Sequence, residues 1–115
     1  GNYSEKKAEK YSELAKQIKG IVQENYHDSS LNSQRIADMI QMNNAYLGRM
    51  FKNSYGRSIN DYINTCRLEE SMCLLRQTDM SVEEIAQNVG FSNIKYFYVL
   101  FKKLTGITPA TYRAG

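Results

Sequence analysis

An all-α fold of about seven helices is predicted, arranged as two similar helical halves joined by a long connecting helix. Three observations predict it. Proline occurs once, at Pro109, and the 7 glycines fall mainly where a helix would end or the chain would turn. Apolar residues recur at steps of three and four, with no competing alternation of period two. The second half of the chain also repeats the pattern of the first.

The first helix is expected from about Ser4 to Tyr26, where Tyr11, Leu14, Ile18, Ile21, Val22 and Asn25 share one face. Its first turns, Glu5 to Lys10, are almost wholly polar. There Lys6, Lys7 and Lys10 are interleaved with Glu5 and Glu9, and they read as a solvated face rather than a phosphate patch. From Leu31 onward a series of short helices begins at residues whose side-chain oxygens can accept from the first orphan backbone N–H groups: Asn32, Asn43, Ser58, Ser81, Ser92 and Thr108. Ser58 with Asp61 and Ser81 with Glu84 have capping-box spacing. Pro109 follows Thr108 at a first helical position, where its missing N–H costs nothing. The expected helices therefore cover about 33–40, 44–54, 59–77, 82–89, 93–104 and 109–113.

Laying the segment from Ile36 to Tyr62 over that from Ile85 to Tyr112 exposes the repeat. Ile36-Ala37 matches Ile85-Ala86; after one extra residue in the second turn, Tyr46, Leu47, Phe51, Lys52, Gly56 and Tyr62 match Tyr96, Phe97, Phe101, Lys102, Gly106 and Tyr112. Two copies separated by a long helix do not make a solenoid. A short helix with Ala near its start, a tight turn and a second helix is instead the helix-turn-helix arrangement, the turns being Gln41-Met42-Asn43 and Gly90-Phe91-Ser92. The expected organisation is an N-terminal amphipathic helix and linker over 1–30, a first helix-turn-helix over 31–57, the connecting helix over 58–78, and a second helix-turn-helix with a C-terminal helix over 79–115.

Charge is sorted along this plan. The formal net charge is +3, and residues 1–30 balance five basic against five acidic side chains. Arg49, Lys52 and Arg57 follow the first turn without an acid, and Lys95, Lys102, Lys103 and Arg113 follow the second without one, while the acids Asp61, Glu69, Glu70, Asp79, Glu83 and Glu84 lie between. A surface that meets phosphate requires such segregation. Each second helix also divides by face. Leu47, Met50 and Phe51 stand against Ala45, Gly48, Arg49 and Lys52; Phe97, Leu100 and Phe101 stand against Lys95, Tyr98, Val99 and Lys102. Phe51, Phe101, Met50 and Leu104 are expected in the core.

Other chemistry finds little footing. Cys66 and Cys73 lie seven residues apart on one helix, too far to bridge, and with the single His27 they form no zinc ligand set. No metal or other cofactor is expected. One His, no Gly-rich phosphate loop and no nucleophile–base spacing argue against an enzyme, and neither thiol has an evident activating neighbour. No apolar run approaches the roughly 18 residues that span a bilayer, so a soluble, cytoplasmic chain is expected and the Asn2-Tyr3-Ser4 sequon carries no weight. The alternative to nucleic-acid binding is a helical protein-interaction module without sequence-specific DNA binding.

From Leu31 to Arg113 the chain resembles the DNA-binding domain of the AraC/XylS family of bacterial transcription regulators. The second half carries the more specific pattern: Ile85-Ala86, Val89-Gly90-Phe91-Ser92, Tyr96-Phe97, Phe101-Lys102-Lys103, Thr105-Gly106 and Pro109-x-x-Tyr112-Arg113. Ala37, Tyr46-Leu47, Phe51-Lys52, Gly56, Tyr62 and Arg67-Leu68 fit in the first half and the connecting helix. The resemblance implies two helix-turn-helix subdomains whose recognition helices enter successive major grooves of double-stranded DNA, about 34 Å apart. By position it assigns base reading to Ala45, Gly48, Arg49, Ile94, Lys95, Tyr98 and Val99. Phosphate contacts fall to Asn44, Lys52, Arg57, Ser58, Asn93 and Lys102. It further implies an N-terminal sensing or dimerisation domain in the full-length protein, to which this chain would be a fragment with Gly1 a cloning remnant, and RNA polymerase as a candidate partner. The chain departs from the family at Val99, where a basic or polar residue is common, and at Gly48, which offers no side chain to read with.

Overall fold

A computed structural model describes residues 3–115, leaving Gly1 and the Asn2 of the sequon outside the described residues. Seven helices and no strands make up the described residues: α1 (Tyr3–Asn25), α2 (Ser33–Met39), α3 (Asn44–Tyr55), α4 (Ile59–Gln77), α5 (Val82–Asn88), α6 (Ile94–Thr105) and α7 (Pro109–Ala114). The chain divides into two compact units, Gly1–Asn25 with Ser30–Ile63 and Tyr26–Ser29 with Asn64–Gly115. The division falls inside α4, so the connecting helix is shared rather than set apart, and the short link after α1 belongs to the second unit.

In the first unit α1 and α2 both pack against α3. Ala15, Ile18 and Val22 of α1, Ile36 and Ala37 of α2, and Leu47, Met50 and Phe51 of α3 are buried, with Ile59, Tyr62 and Ile63 from the start of α4. In the second unit α5 packs on α6 and α6 on α7. Its core joins Leu68 and Leu75 of α4 to Ile85, Ala86, Val89, Phe91, Phe97 and Phe101. The rings of Phe91, Phe97, Phe101 and Tyr112 follow one another at centroid spacings of 5.2, 5.7 and 5.6 Å. Burying one such ring is worth about 1.5–3 kcal/mol, which helps hold α5 and α7, helices far too short to persist alone.

The caps explain where helices begin. Side chains of Asn32, Asn43, Ser81 and Thr108 accept from the N–H of Arg35, Tyr46, Glu84 and Thr111, and Ser58 Oγ accepts from Asp61 N–H at 3.0 Å. One expected cap is displaced: Asn93, not Ser92, caps α6, its Oδ1 accepting from Tyr96 N–H at 3.1 Å. The extra residue in the second turn is Ser92 itself, and Asn93 stands in the place of Asn43.

The two turns close in the same way. Gln41 N–H donates to Asp38 C=O and Met42 N–H to Ala37 C=O; Gly90 N–H donates to Gln87 C=O and Phe91 N–H to Ala86 C=O. Both are Schellman closures, which place one residue at positive φ: Gln41 at 57° and Gly90 at 113°. The Ala expected near the start of each first helix lies instead at the third position from its end, because α2 begins at Ser33 and α5 at Val82; there it is fully buried, as close helix approach requires. One expected core residue is not buried. Leu104 is 49% exposed, because it lies in the last turn of α6, beyond the reach of α5 and of the ring stack.

Candidate nucleic-acid interface

α3 and α6 present outward faces built from matching positions. On α3, Ala45, Arg49 and Lys52 are exposed, and Asn44 and Gly48 are half-buried. On α6, Lys95, Tyr98, Val99 and Lys102 are exposed, with Val99 at 64%. Ile94 is different: half-buried, it packs against the second core and anchors the first turn of α6. The inward faces are those expected, with Leu47, Met50 and Phe51 on one helix and Phe97 and Phe101 on the other buried and Leu100 half-buried.

Each second helix is braced near its start by the Tyr of the repeat. The Tyr46 phenol donates to Tyr11 of α1, with the rings edge-on at 6.4 Å. That bond pushes the Tyr46 phenol above its ordinary range and holds Tyr11 below it. Tyr96 OH accepts from Asn64 Nδ2 at 3.1 Å, and its ring lies edge-on to Phe91. The partners differ in the two units, but each phenol ties the helix start to a neighbouring element. Neither residue was expected to do this, because the bracing partners lie 35 and 32 residues away in sequence.

Each second helix ends at a glycine in the left-handed region, Gly56 at φ 89° and Gly106 at φ 83°, whose N–H donates back to Lys52 or Lys102 C=O at 2.7 Å. Arg57, exposed, follows the first exit, and Ser58 is half-buried at the N-terminus of α4. Exposed Asn93 likewise spends its Oδ1 on the cap of α6. Thr108, which matches Ser58 at the same offset of fifty, caps α7 as expected.

One expected outward charge turns inward. Arg113 Nε donates to Leu75 C=O at 3.0 Å and Nη2 to Thr78 C=O at 3.2 Å, so this half-buried guanidinium serves the C-terminal carbonyls of α4. Those carbonyls lack partners within the helix and sit at its negative end, a favourable place for a cation. The outward basic set is therefore Arg49, Lys52 and Arg57 in the first unit and Lys95, Lys102 and Lys103 in the second, all exposed and with no acid among α3, α6 and their exits.

Arg67, 7% exposed, is the other internal arginine. Its Nε donates to Tyr26 C=O at 2.8 Å and its Nη2 to Asp28 C=O at 2.9 Å, while its guanidinium lies 5.7 Å from the Phe91 ring centroid. Burial lowers its pKa from the ordinary arginine value, with Asp28 opposing the shift. It ties the link after α1 to α4 and to the turn of the second helix-turn-helix. Cys66 and Cys73 are unbridged, no cluster of metal-ligating residues occurs among the described residues, and no described helix is long and apolar enough to cross a membrane.

Residues 36–115 match a family described as a helix-turn-helix domain. The transcriptional regulatory protein YesN of Bacillus subtilis is 45% identical over 78 residues, which cover 66% of this chain and 21% of that protein, so the chain spans about a fifth of its relative's length. The C-terminal domain of AraT, a response regulator from Geobacillus stearothermophilus, superimposes with a TM-score of 0.84 at 30% identity, covering 88% of this chain and 84% of that one. The DNA-binding domain of the global transcriptional factor AdpA, solved with a target DNA, gives a TM-score of 0.80 at 25% identity, covering 87% of this chain and 89% of that one. A repeated helix-turn-helix with matching caps, turns and bracing tyrosines accompanies these likenesses, and the chain belongs to the AraC/XylS family of transcription regulators, as its helix-turn-helix DNA-binding domain.

Proposed function

We propose that the chain binds double-stranded DNA sequence-specifically as the reading domain of a bacterial transcription regulator, with α3 and α6 entering successive major grooves. The observation that carries this reading is the pair of outward helix faces at matching positions, basic and free of acids, in a chain whose relatives are regulators. AdpA, similar in fold, is a DNA-binding domain solved on its target.

Base reading falls to Ala45, Gly48 and Arg49 on α3 and to Lys95, Tyr98 and Val99 on α6, with Ile94 holding the start of α6 against its core. The matched positions are chemically unlike: Ala45 against Lys95, Gly48 against Tyr98, Arg49 against Val99. The two half-sites therefore differ in sequence. Arg49 suits the O6 and N7 of guanine and Ala45 a thymine methyl, while α6 reads through Lys95 and Tyr98 and, more weakly, through apolar contact by Val99. Lys52, Arg57 and Lys102 meet phosphates, with Asn44, Ser58 and Asn93 at helix starts where backbone N–H groups favour anions.

The domain performs no catalysis of its own. It acts in the cytoplasm within a longer regulator, whose N-terminal domain senses or dimerises, with RNA polymerase as the further partner.

Selection from a randomised duplex library, run in parallel on the wild type and on Arg49→Ala, tests this. The wild type is expected to enrich a bipartite motif. Arg49→Ala should lose preference at one base pair in one half-site, at a cost of about 1–3 kcal/mol. No enriched motif from the wild type would contradict DNA reading, and an unchanged motif from the variant would remove Arg49 from the reading set.

A further inference from the structure

We infer that the first two turns of α1 form an additional phosphate-binding arm, in which Lys6, Lys7 and Lys10 contact the DNA backbone beside the half-site read by α3. This rests on the DNA-binding reading above. α1 and α3 lie side by side and run in the same direction: Tyr11 meets Tyr46 near the start of α3, and Lys19 Nζ lies 4.4 Å from the Tyr55 ring centroid at its end. α1 begins eight residues before Tyr11, whereas α3 begins two residues before Tyr46. At 1.5 Å per residue, α1 overshoots the start of α3 by roughly 9 Å. In a helix-turn-helix the N-terminal end of the second helix meets the bases, so the overshoot points towards the duplex.

The helix sorts what the sequence interleaves. At about 100° per residue, Tyr3, Lys7, Lys10 and Tyr11 fall within one sector of about 100°, with Lys6 about 40° beyond its edge; Glu5 and Glu9 lie on the opposite side, and Glu13, beside Lys6, is paired with Lys16 at 3.6 Å. Tyr3, Lys6, Lys7, Lys10, Tyr11 and Tyr46 line an open cleft of about 360 Å³ with no acid in its wall. Lys7 Nζ also lies 5.5 Å from the Tyr11 ring centroid, and Tyr11 packs edge-on against Tyr46 of α3 at 6.4 Å. The ammonium thus rests between the rings of Tyr3 and Tyr11, 6.0 and 5.5 Å from their centroids, beside the recognition helix.

The test compares the 115-residue chain with its Lys6→Gln/Lys7→Gln/Lys10→Gln and Lys6→Arg/Lys7→Arg/Lys10→Arg variants, since Gln and Arg both keep helix propensity. Affinity for the selected site with long flanks, and for a scrambled duplex, is measured over a salt series with a backbone footprint. The Gln variant is expected to lower the slope of log affinity against log salt by about 2–3 and to weaken both duplexes by about three- to tenfold. It should also lose protected phosphates next to the half-site read by α3, with the selected sequence unchanged and circular dichroism showing the helices intact. The Arg variant should keep the wild-type slope. A Gln variant with the wild-type slope and footprint would overturn the arm while leaving DNA reading in place; a wild type that binds no duplex would overturn both.

Discussion

At Gly90 three requirements coincide. Its φ of 113° lies where side chains are rarely tolerated, and a Cβ built there would sit 2.3 Å from Tyr26 C=O and 2.7 Å from Arg67 Nε. Gly90→Ala is expected to cost about 3 kcal/mol or more, read as a lower urea midpoint at unchanged slope, because a backbone carbonyl and a buried arginine would have to move. Gly48 is the opposite case. Nothing stands within 4 Å of a Cβ at that position, so Gly48→Ala should raise the unfolding free energy by about 1 kcal/mol through helix propensity alone. A drop in stability would show that the outward face of α3 is covered within the chain. The sequence marked both glycines as special, Gly90 as a turn and Gly48 as a gap in the reading face, but not the reason for either. The crowding at Gly90 comes from Tyr26 and Arg67, and local pattern does not reach that far. For the same reason the sequence showed Arg67 only as a family residue and counted Arg113 with the outward charges.

Helix starts were largely legible because a cap is a local event, needing only a side-chain oxygen and an N–H three residues on. The exception is the start of α6, where Ser92 and Asn93 are both competent and adjacent. The repeat decides between them, since the offset of fifty carries Asn43 to Asn93. Asn93→Ala is expected to cost about 1 kcal/mol by thermal or urea unfolding and Ser92→Ala only a few tenths, with the reverse order contradicting the observed cap. Leu104 was misplaced for a related reason. It falls in line with Phe97 and Phe101 around α6, but angular position does not tell how far along a helix its neighbours extend. The long helix α4 shows no single apolar stripe because its residues belong to two cores, Ile59, Tyr62 and Ile63 to one and Leu68 and Leu75 to the other.

For the whole molecule, the repeat and the segregation of charge were both legible without coordinates, and together they carry the functional reading. On α1 a count of charges hides how they are placed around the helix. A segment that is neutral by count, as the first turns of α1 nearly are, still presents a basic side once it is wound into a helix. The central claim is that one chain reads two half-sites with α3 and α6, and changing the spacing of the selected site tests it most directly. Duplexes with about five or about ten base pairs inserted between the half-sites would be titrated beside the original, with the stoichiometry determined. The account predicts one chain per original duplex, and a loss of affinity on both insertions to the level of a single half-site, because two recognition helices joined through the single helix α4 are matched to one spacing. Undiminished affinity at either spacing, or two chains on the original site, would contradict it.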